Sequence, residues 1–262
     1  MPPAAGYQSR MDDTDLLELA IGLAFEAGAA IMTVRARGFD VTRKADASPV
    51  TEADTAAEAI IVAALRRATP DIPVIAEEEV AAGRITEAGA AFWLVDPLDG
   101  TREFAKGLDE FAVNVGLVRN GRPVLGAVGA PAWGAVYGGI VGQGAILRDA
   151  SGERAIAARR PPAEGLAVLA SRHHGADGRM AEFLAGRRIA SVTGMGSALK
   201  FCRLAEGAAD LYPRFGRTME WDTAAPHAVL AAAGGEMCRL DGAPFMYGKP
   251  GWENPGFVCT GL

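Results

Sequence analysis

The sequence predicts a mixed protein in two parts, an α+β part that contains an antiparallel sheet, followed by an α/β part. Three observations lead to this prediction. Apolar residues recur at helical spacing near the N-terminus. Short β-type runs separated by turn residues fill positions 111–148. From about residue 160 onward, strand-like and helix-like segments alternate.

Two amphipathic helices are predicted at the start of the chain. From the cap-type residues Asp13 and Thr14, apolar positions recur at helical spacing as far as Gly38. Thr51 begins the second helical pattern, and Asp54 follows three positions later, as in a capping box. We therefore expect two long helices that each bury one face.

The next segments read as strands. The runs "IPVIAEEE" and "AFWLVDP" stop at carboxylates, which is typical of buried strands that end at a cleft. Pro97 should end sheet pairing in the second run. Further on, "FAVNVGLV", the turn pair Asn120 and Gly121, "PVLGAVGAP" and "GAVYGGIV" predict an antiparallel meander.

The second part begins after the charged, proline-containing stretch "GERAIAARRPPAEG". The strand-like "LAVLAS", "IASVT" and "ADLYPRF" alternate there with helices expected near 179–186, from Ser197 and after Trp221. We expect a loose tail at residues 1–12, an α+β domain at 13–160 and an α/β domain at 161–262.

Composition narrows the class of function. The 262 residues are 50% hydrophobic, which is ample for a large core. The 26 basic and 32 acidic residues give a net charge of −6, which disfavours a nucleic-acid polymer as partner but leaves room for a small anionic ligand in a local basic cleft.

Location is predicted from the cysteines and the apolar runs. The three cysteines have no C-x-x-C spacing, which suits neither a disulfide framework nor a zinc ribbon and favours a reducing cytoplasm. The first ten residues lack the pattern of a secretory signal, and we expect no integral membrane segment, because no uninterrupted apolar run is long enough.

The stretch "WLVDPLDGTREF" carries the strongest chemical signal. Asp96 and Asp99 follow an apolar strand and share a small volume, so their charges call for a cation. With no nearby His or Cys pattern, carboxylate oxygens favour Mg²⁺ or Mn²⁺ over zinc or copper. Behind them, the backbone N–H groups of Gly100 and Thr101 would open a helix and offer an anion site. A metal cluster beside an anion site is what phosphoryl transfer requires.

Simpler interpretations remain open for each acidic residue alone. Asp96 could cap a turn, and Asp99 could cap the short helix near Gly100. At least one of the three glutamates in "AEEEV" (77–79) belongs to a solvated charge run. Asp222 and Asp54 would equally serve as ordinary helix-capping residues.

Taken in order, these segments resemble the inositol monophosphatase superfamily of Mg²⁺-dependent, lithium-sensitive phosphatases. The stretch "DPLDGTREF" matches the signature D-P-[IL]-D-G-T-x-x-F, and "WDTAA" matches W-D-x-[AS]-[AG]. "VIAEEE" and "SPVTEAD" lie upstream, where the family keeps a metal-binding glutamate and a supporting aspartate. The resemblance starts at about residue 13 and implies an αβαβα sandwich, with the active site between the two halves.

The resemblance also implies roles for individual residues. It assigns the metal ligands to Glu77, Asp96, Asp99, Asp222 and the carbonyl of Leu98, which would hold two Mg²⁺ ions tightly and a third weakly, with Mn²⁺ as a substitute.

Two further residues receive catalytic roles by the same resemblance. With Glu77, Thr101 and Asp54 would orient and activate the attacking water, without a covalent enzyme intermediate. Relatives include monomers and homodimers, so the resemblance leaves the oligomeric state open.

Within the superfamily, the sequence is most similar to bacterial 3'(2'),5'-bisphosphate nucleotidases, which remove the 3'-phosphate of adenosine 3',5'-bisphosphate, a by-product of sulfate activation. Lys200 in "GMGSALK" and Arg214 in "PRFG" would meet the nucleotide together with Ser197, and Gly100, Thr101 and Asp222 would lie beside the phosphate. Arg214 aligns with a glutamate of the inositol-specific relatives. Alternatively, Lys200 lies on a helix surface and Arg214 pairs with an acid.

Three other functions remain open. An inositol-phosphate or a histidinol-phosphate phosphatase would share both signatures and differ around residues 194–220. A non-catalytic protein that binds nucleotide or metal would keep the fold, although it would have no need of Asp54 and Thr101. The sulfated analogue of the bisphosphate is a second possible substrate.

Overall fold

The computed structural model describes residues 11–43, 49–172 and 178–262. Most of the predicted N-terminal tail, residues 1–10, lies outside the described residues. The helices are α1 Asp13–Arg37, α2 Glu52–Ala68, α3 Glu77–Ala81, α4 Thr101–Ala105, α5 Arg179–Leu184, α6 Leu199–Ala205 and α7 Glu220–Ala232. The strands are β1 Thr42–Arg43, β2 Pro49–Val50, β3 Val74–Ala76, β4 Ala91–Asp99, β5 Ala112–Arg119, β6 Arg122–Ala130, β7 Ala135–Ile140, β8 Gly144–Asp149, β9 Gly152–Ile156, β10 Leu166–Ser171, β11 Ile189–Met195, β12 Leu211–Arg214, β13 Thr218–Met219, β14 Glu236–Arg239, β15 Glu253–Asn254 and β16 Phe257–Thr260.

The first helix begins one residue earlier than the sequence pattern predicted. Asp12 is the cap, since its side chain accepts hydrogen bonds from the backbone N–H groups of Thr14 and Asp15, both at 2.9 Å. Gly38 ends the helix with a positive φ of 82°. By length and composition α1 could cross a membrane, but 50% of the tested stretch is buried inside the protein, as in the core helix of a globular domain.

The predicted antiparallel meander is confirmed. Strands β3 to β9 form a seven-stranded sheet in chain order, in which β3 pairs with β4 in parallel and every later neighbour pairs antiparallel. Helices α1 and α2 pack on one face of this sheet, and α7 packs on the other. Two hydrophobic clusters therefore lie on opposite sides of the same sheet.

The second sheet uses the C-terminal part of the chain. Its order is β11-β10-β12-β16-β14, with parallel pairing among the first three strands and antiparallel pairing of β16 with both neighbours. Helices α6 and α7 lie between the two sheets, and the layered helix and sheet arrangement is confirmed. The division into domains at residue 160 stays a prediction, since α7 packs directly on strands of the first part.

Strand β4 differs from expectation in a way that shapes the site. Sheet pairing does not stop at Pro97: Asp96 pairs with Asn114 and Asp99 with Ala112, with a register shift between these pairs. A bulge accommodates the missing proline N–H and changes the direction of the strand. The bulge thus lets one strand present both Asp96 and Asp99.

Close packing of α7 on the first sheet depends on two glycines. A Cβ added at Gly116 would lie 2.6 Å from the backbone nitrogen of Ala225, and one at Gly126 would lie 2.7 Å from the Cα of the same residue. Backbone atoms of a packed helix cannot move aside cheaply. These glycines therefore set the distance between α7 and strands β5 and β6.

We predict opposite effects for two Gly→Ala substitutions. Gly126→Ala should lower the free energy of unfolding by about 1–3 kcal/mol, because the methyl group overpacks the contact with α7. Gly22→Ala, on the exposed face of α1 with nothing within 4 Å, should raise it by about 0.5–1 kcal/mol. Urea denaturation of both variants measures the effects, and a stable Gly126→Ala variant would contradict the packing argument.

Candidate metal and phosphate site

Three carboxylates from three different elements meet between the two parts of the chain. Glu77 begins α3, Asp96 lies on β4, and Asp222 lies in the first turn of α7. One oxygen from each can be chosen so that all three lie within 4.8 Å of one another. Asp96 is buried, and the other two are half-buried. This spacing is suited to a shared cation.

Glu77 reaches this position by a route that the sequence did not predict. The strand predicted from the run "IPVIAEEE" stops at the carboxylates as expected, since β3 ends at Ala76, but the sequence pattern did not predict that Glu77 is the first residue of a short helix. Glu77 and Glu79 then point in different directions. Glu79 is buried and paired with Arg66 and Arg84, so it is neither a solvated charge nor part of the cluster.

The alternation of side chains along a strand explains where Asp96 points. Asn114 pairs directly with Asp96 and Gly116 lies two residues further on, so all three share the face on which α7 packs. Asp222 approaches from that helix. Asp222 also accepts a hydrogen bond from the backbone N–H of Met219 at 2.8 Å, so it has the helix-capping role that was left open, in addition to its place in the cluster.

Asp99 lies beyond the bulge and is held from the second part of the chain. Its carboxylate accepts a hydrogen bond from the backbone N–H of Ala198. The cap of α4 is Gly100, which makes no side-chain capping bond, so Asp99 does not cap that helix. Asp96 does close a turn, because it accepts a hydrogen bond from the N–H of Leu98 at 3.0 Å. Of the two capping roles considered for these aspartates, the structure shows only the turn capped by Asp96.

The electrostatics of these acids indicate that a positive charge belongs among them. Burial raises the pKa of Asp222 well above its usual value, and the negative charges of Asp99 and Glu77 raise it further. Burial likewise raises the pKa of Asp99 to about 6, although the neighbouring Lys200 opposes the rise. Three negative charges at this spacing are unfavourable until a cation neutralises them.

The donor set fits a hard divalent cation. The three clustered ligands are carboxylates, which are the donors that Mg²⁺ and Mn²⁺ prefer. Asn114, fully buried on the face that Asp96 shares, has a side-chain amide with no hydrogen-bond partner within the described part of the chain. An unsatisfied buried amide beside such a cluster is consistent with a site that binds an ion and its waters.

A chain of hydrogen bonds joins Asp54 to the end of β4. The hydroxyl of Thr101 lies 3.1 Å from Asp54 Oδ1 and 3.0 Å from the carbonyl oxygen of Leu98. The other oxygen of Asp54 accepts from both the N–H and the hydroxyl of Thr51, each at 2.8 Å. The predicted capping box is therefore confirmed, and it fixes Asp54 so that one oxygen faces Thr101.

Ser197 lies in a tightly constrained loop opposite Gly100. Ser197 has a positive φ of 50°, and a Cβ on Gly100 would lie 3.2 Å from the Cβ of Ser197. Glu110 holds this loop by accepting a hydrogen bond from the N–H of Gly196 at 2.7 Å, and it also pairs with Arg172. This role of Glu110 could not be predicted from the sequence, because no local pattern links positions so far apart in the chain.

Lys200 and Arg214 line the same cleft as Asp99 and Asp222. The Nζ of Lys200 is buried and donates to the carbonyl oxygens of Met195 and Ser197, so Lys200 is not a helix-surface residue. Burial lowers the pKa of Lys200 to about 8.

The guanidinium of Arg214 is held without an acidic partner among the described residues. It donates to Ser171 Oγ and to the carbonyl oxygens of Gly216 and Arg217. Two more arginines, Arg102 and Arg172, line the cleft, and no sequence pattern predicted their place there.

The chain belongs to the inositol monophosphatase family, whose family model matches residues 12–256. The fold and these acidic residues thus define a metal-dependent phosphatase that hydrolyses phosphate monoesters. Among its relatives is the 3'(2'),5'-bisphosphate nucleotidase CysQ of Escherichia coli O157:H7, which is 45% identical over 247 residues, covering 92% of this chain and 98% of the relative.

Solved structures agree with this assignment. The crystal structure of CysQ from Bacteroides thetaiotaomicron, a bacterial member of the family, gives a TM-score of 0.82 at 32% identity and covers 96% of this chain and 99% of that one. The inositol monophosphatase from Anabaena gives a TM-score of 0.75 at 27% identity, covering 94% and 90%. The predicted fold is confirmed.

We predict that the metal-free protein loses stability as pH rises from about 4 to about 6 because of Asp99. The folded state raises the pKa of this carboxyl from 3.8 to about 6, so in that window the unfolded chain has released a proton that the folded chain retains. This contribution to the free energy of unfolding therefore decreases with increasing pH. Asp99→Asn, whose side chain does not titrate, lacks it.

Denaturation of wild type and Asp99→Asn in EDTA across this window tests the prediction. The variant should gain stability relative to wild type as pH rises. A difference that stays constant with pH would contradict a raised pKa at Asp99.

Proposed function

We propose that the chain is a Mg²⁺-dependent 3'(2'),5'-bisphosphate nucleotidase that hydrolyses adenosine 3',5'-bisphosphate to AMP and phosphate. The observation that carries the proposal is one cleft with two kinds of charge. Asp99 and Asp222 line it together with Arg102, Arg172 and Arg214. A substrate with one scissile and one further phosphate matches a cleft that offers both acids for metal ions and arginines for an anion, and the name of the CysQ relatives supports it.

The metal ligands in this proposal are Glu77, Asp96, Asp99, Asp222 and the carbonyl oxygen of Leu98, which would hold two to three Mg²⁺ ions, with Mn²⁺ as a substitute. The clustered carboxylate oxygens and the mutual repulsion of their negative charges support this set. Bound divalent cations would supply activation of a water nucleophile and neutralisation of the phosphate charge.

Thr101 and Asp54 are proposed to position the attacking water. The hydroxyl of Thr101 has one proton and two acceptors within 3.1 Å, so it can donate to Asp54 and leave its own lone pairs for a water. Asp54 is fixed on its other side by Thr51 and can receive a proton through the hydroxyl. Glu77 is proposed to take part in this step by binding a metal ion in the same site.

Lys200, Ser197 and Arg214 are proposed to contact the nucleotide, and Gly100, Thr101 and Asp222 the region of the scissile phosphate. The ammonium group of Lys200 has three donors, of which two serve the carbonyls of the loop that carries Ser197. Its contribution to binding is therefore partly indirect, through the loop. Arg214 is already oriented by three acceptors, which lowers the entropy lost on binding an anion.

An inositol-phosphate phosphatase is the second candidate, since the fold is shared with the enzyme from Anabaena. Histidinol phosphate and the sulfated analogue of the bisphosphate remain alternative substrates, and a non-catalytic binding protein is disfavoured by the Thr101–Asp54 pair.

We further propose a cytoplasmic enzyme, monomeric or homodimeric, without a nucleic-acid partner. The three free cysteines and the negative net charge support this.

We predict that phosphate release in Mg²⁺ is fastest for adenosine 3',5'-bisphosphate among three substrates, the others being inositol 1-phosphate and histidinol phosphate. The arginines of the cleft can stabilise a second phosphate that the other two esters lack.

Arg214→Ala should raise KM for the bisphosphate about tenfold or more and change KM for a simple monophosphate ester much less.

Arg217→Ala is the matched control, because Arg217 lies three residues away, is exposed and pairs with Glu253 outside the cleft. It should leave KM for every substrate nearly unchanged. Equal effects of Arg214→Ala on both kinds of ester would remove Arg214 from the nucleotide site. Faster turnover of another ester would refute the substrate assignment and leave the metal site intact.

A further inference from the structure

Helix α3, which carries Glu77, lacks a capping side chain of its own. Its cap position is Ala76, which makes no side-chain hydrogen bond to the first turn. The N–H groups of a first helical turn need acceptors, and alanine cannot provide one. The short helix therefore depends on another part of the chain to fix its start.

Glu58 on α2 supplies this acceptor. Its Oε2 accepts a hydrogen bond from the backbone N–H of Glu78 at 2.7 Å, across twenty positions of sequence. Glu58 is 7% exposed, which is unusual for a glutamate that has no ion-pair partner in the part of the chain that the structure describes. Glu78 directly follows Glu77, so this bond fixes the peptide next to the proposed metal ligand.

The same face of α2 holds the helix at a second point. Glu58, Val62 and Arg66 are spaced four residues apart and so lie on one face. Arg66 donates two hydrogen bonds to Glu79, at 2.9 and 2.6 Å, and Arg84 donates a third to the same carboxylate. Two consecutive residues of α3 are thus tied to α2, immediately after Glu77.

Burial of the Glu58 carboxyl group is energetically unfavourable, which indicates that this residue does more than contribute to packing. Burial raises the pKa of Glu58 to about 7, and the backbone bond from Glu78 only partly opposes this, while the charges of the three neighbouring glutamates raise it further. An apolar residue would pack at this position without such a penalty. What an apolar residue cannot do is accept the N–H of Glu78.

We propose that Glu58 is a positioning residue for the metal site: its carboxylate replaces the missing cap of α3 and fixes the direction in which Glu77 points. The inference rests on the proposed function in one respect, the role of Glu77 as a metal ligand. Residues that orient a metal ligand typically change metal affinity about 10–100-fold when they are removed.

A pair of variants of equal length isolates the hydrogen bond. Glu58→Met and Glu58→Gln both remove the negative charge and keep the length of the side chain, but only glutamine keeps an oxygen that accepts the N–H of Glu78. Val62→Ala, one turn further along the same face, is the control for a loss of packing without loss of the bond. Glu77→Gln reports whether the ligand assignment itself holds.

Calorimetric titration with Mg²⁺ alone, without substrate, is the measurement. We expect Glu58→Met to weaken Mg²⁺ binding about tenfold or more, Glu58→Gln to stay near wild type, and Val62→Ala to lose thermal stability but keep its Mg²⁺ affinity. Equal affinities for the methionine and glutamine variants would overturn the inference, as would a Val62→Ala variant that weakens binding as much as Glu58→Met.

Glu77→Gln separates a failure of the positioning role of Glu58 from a failure of the metal assignment of Glu77. If Glu77→Gln weakens Mg²⁺ binding while Glu58→Met does not, the positioning role is wrong and the metal assignment stands. If Glu77→Gln binds Mg²⁺ as wild type does, Glu77 is not a ligand, and the metal assignment and the positioning role both fail.

Discussion

The repulsion among a few carboxylates held close together is the constraint on which the site depends. Glu77, Asp96 and Asp222 bring oxygens within 4.8 Å of one another, and Asp99 adds a fourth charge nearby. The surrounding structure must force such an arrangement, and its repulsion is relieved when the acids take up protons or when a cation neutralises them. The fold supplies the force, because the three elements that carry these acids, α3, β4 and α7, are each fixed by packing elsewhere.

Packing fixes those elements with little tolerance. Helix α7 lies directly on Gly116 and Gly126, which determines how near Asp222 comes to Asp96. The register shift in β4 places Asp96 and Asp99, three residues apart, opposite Asn114 and Ala112, which lie on one face of β5. The loop around Ser197 closes on Gly100 and gives an N–H to Asp99. The groups proposed to bind phosphate and those proposed to bind metal are therefore held by the same contacts.

Much of the fold and of the candidate site could be predicted from the sequence. The features that could not be predicted depend on contacts between residues that are far apart in the chain. Periodicity and capping residues gave both long helices and the meander, since these depend on local pattern. The continuation of β4 past Pro97 depends on pairing with Asn114 and Ala112, which local propensity does not encode. The roles of Glu58 and Glu110 depend on contacts across 20 and 86 positions, and neither lies in a recognisable motif.

The central claim is that the clustered carboxylates bind catalytic divalent cations. The most direct test is a crystal structure of the protein with Mn²⁺, in which the anomalous scattering of Mn²⁺ locates the bound ions. The account predicts peaks coordinated by Glu77, Asp96 and Asp222, with a neighbouring peak at Asp99. Mn²⁺ bound elsewhere in the molecule, with these four carboxylates uncoordinated at saturating Mn²⁺, would contradict it.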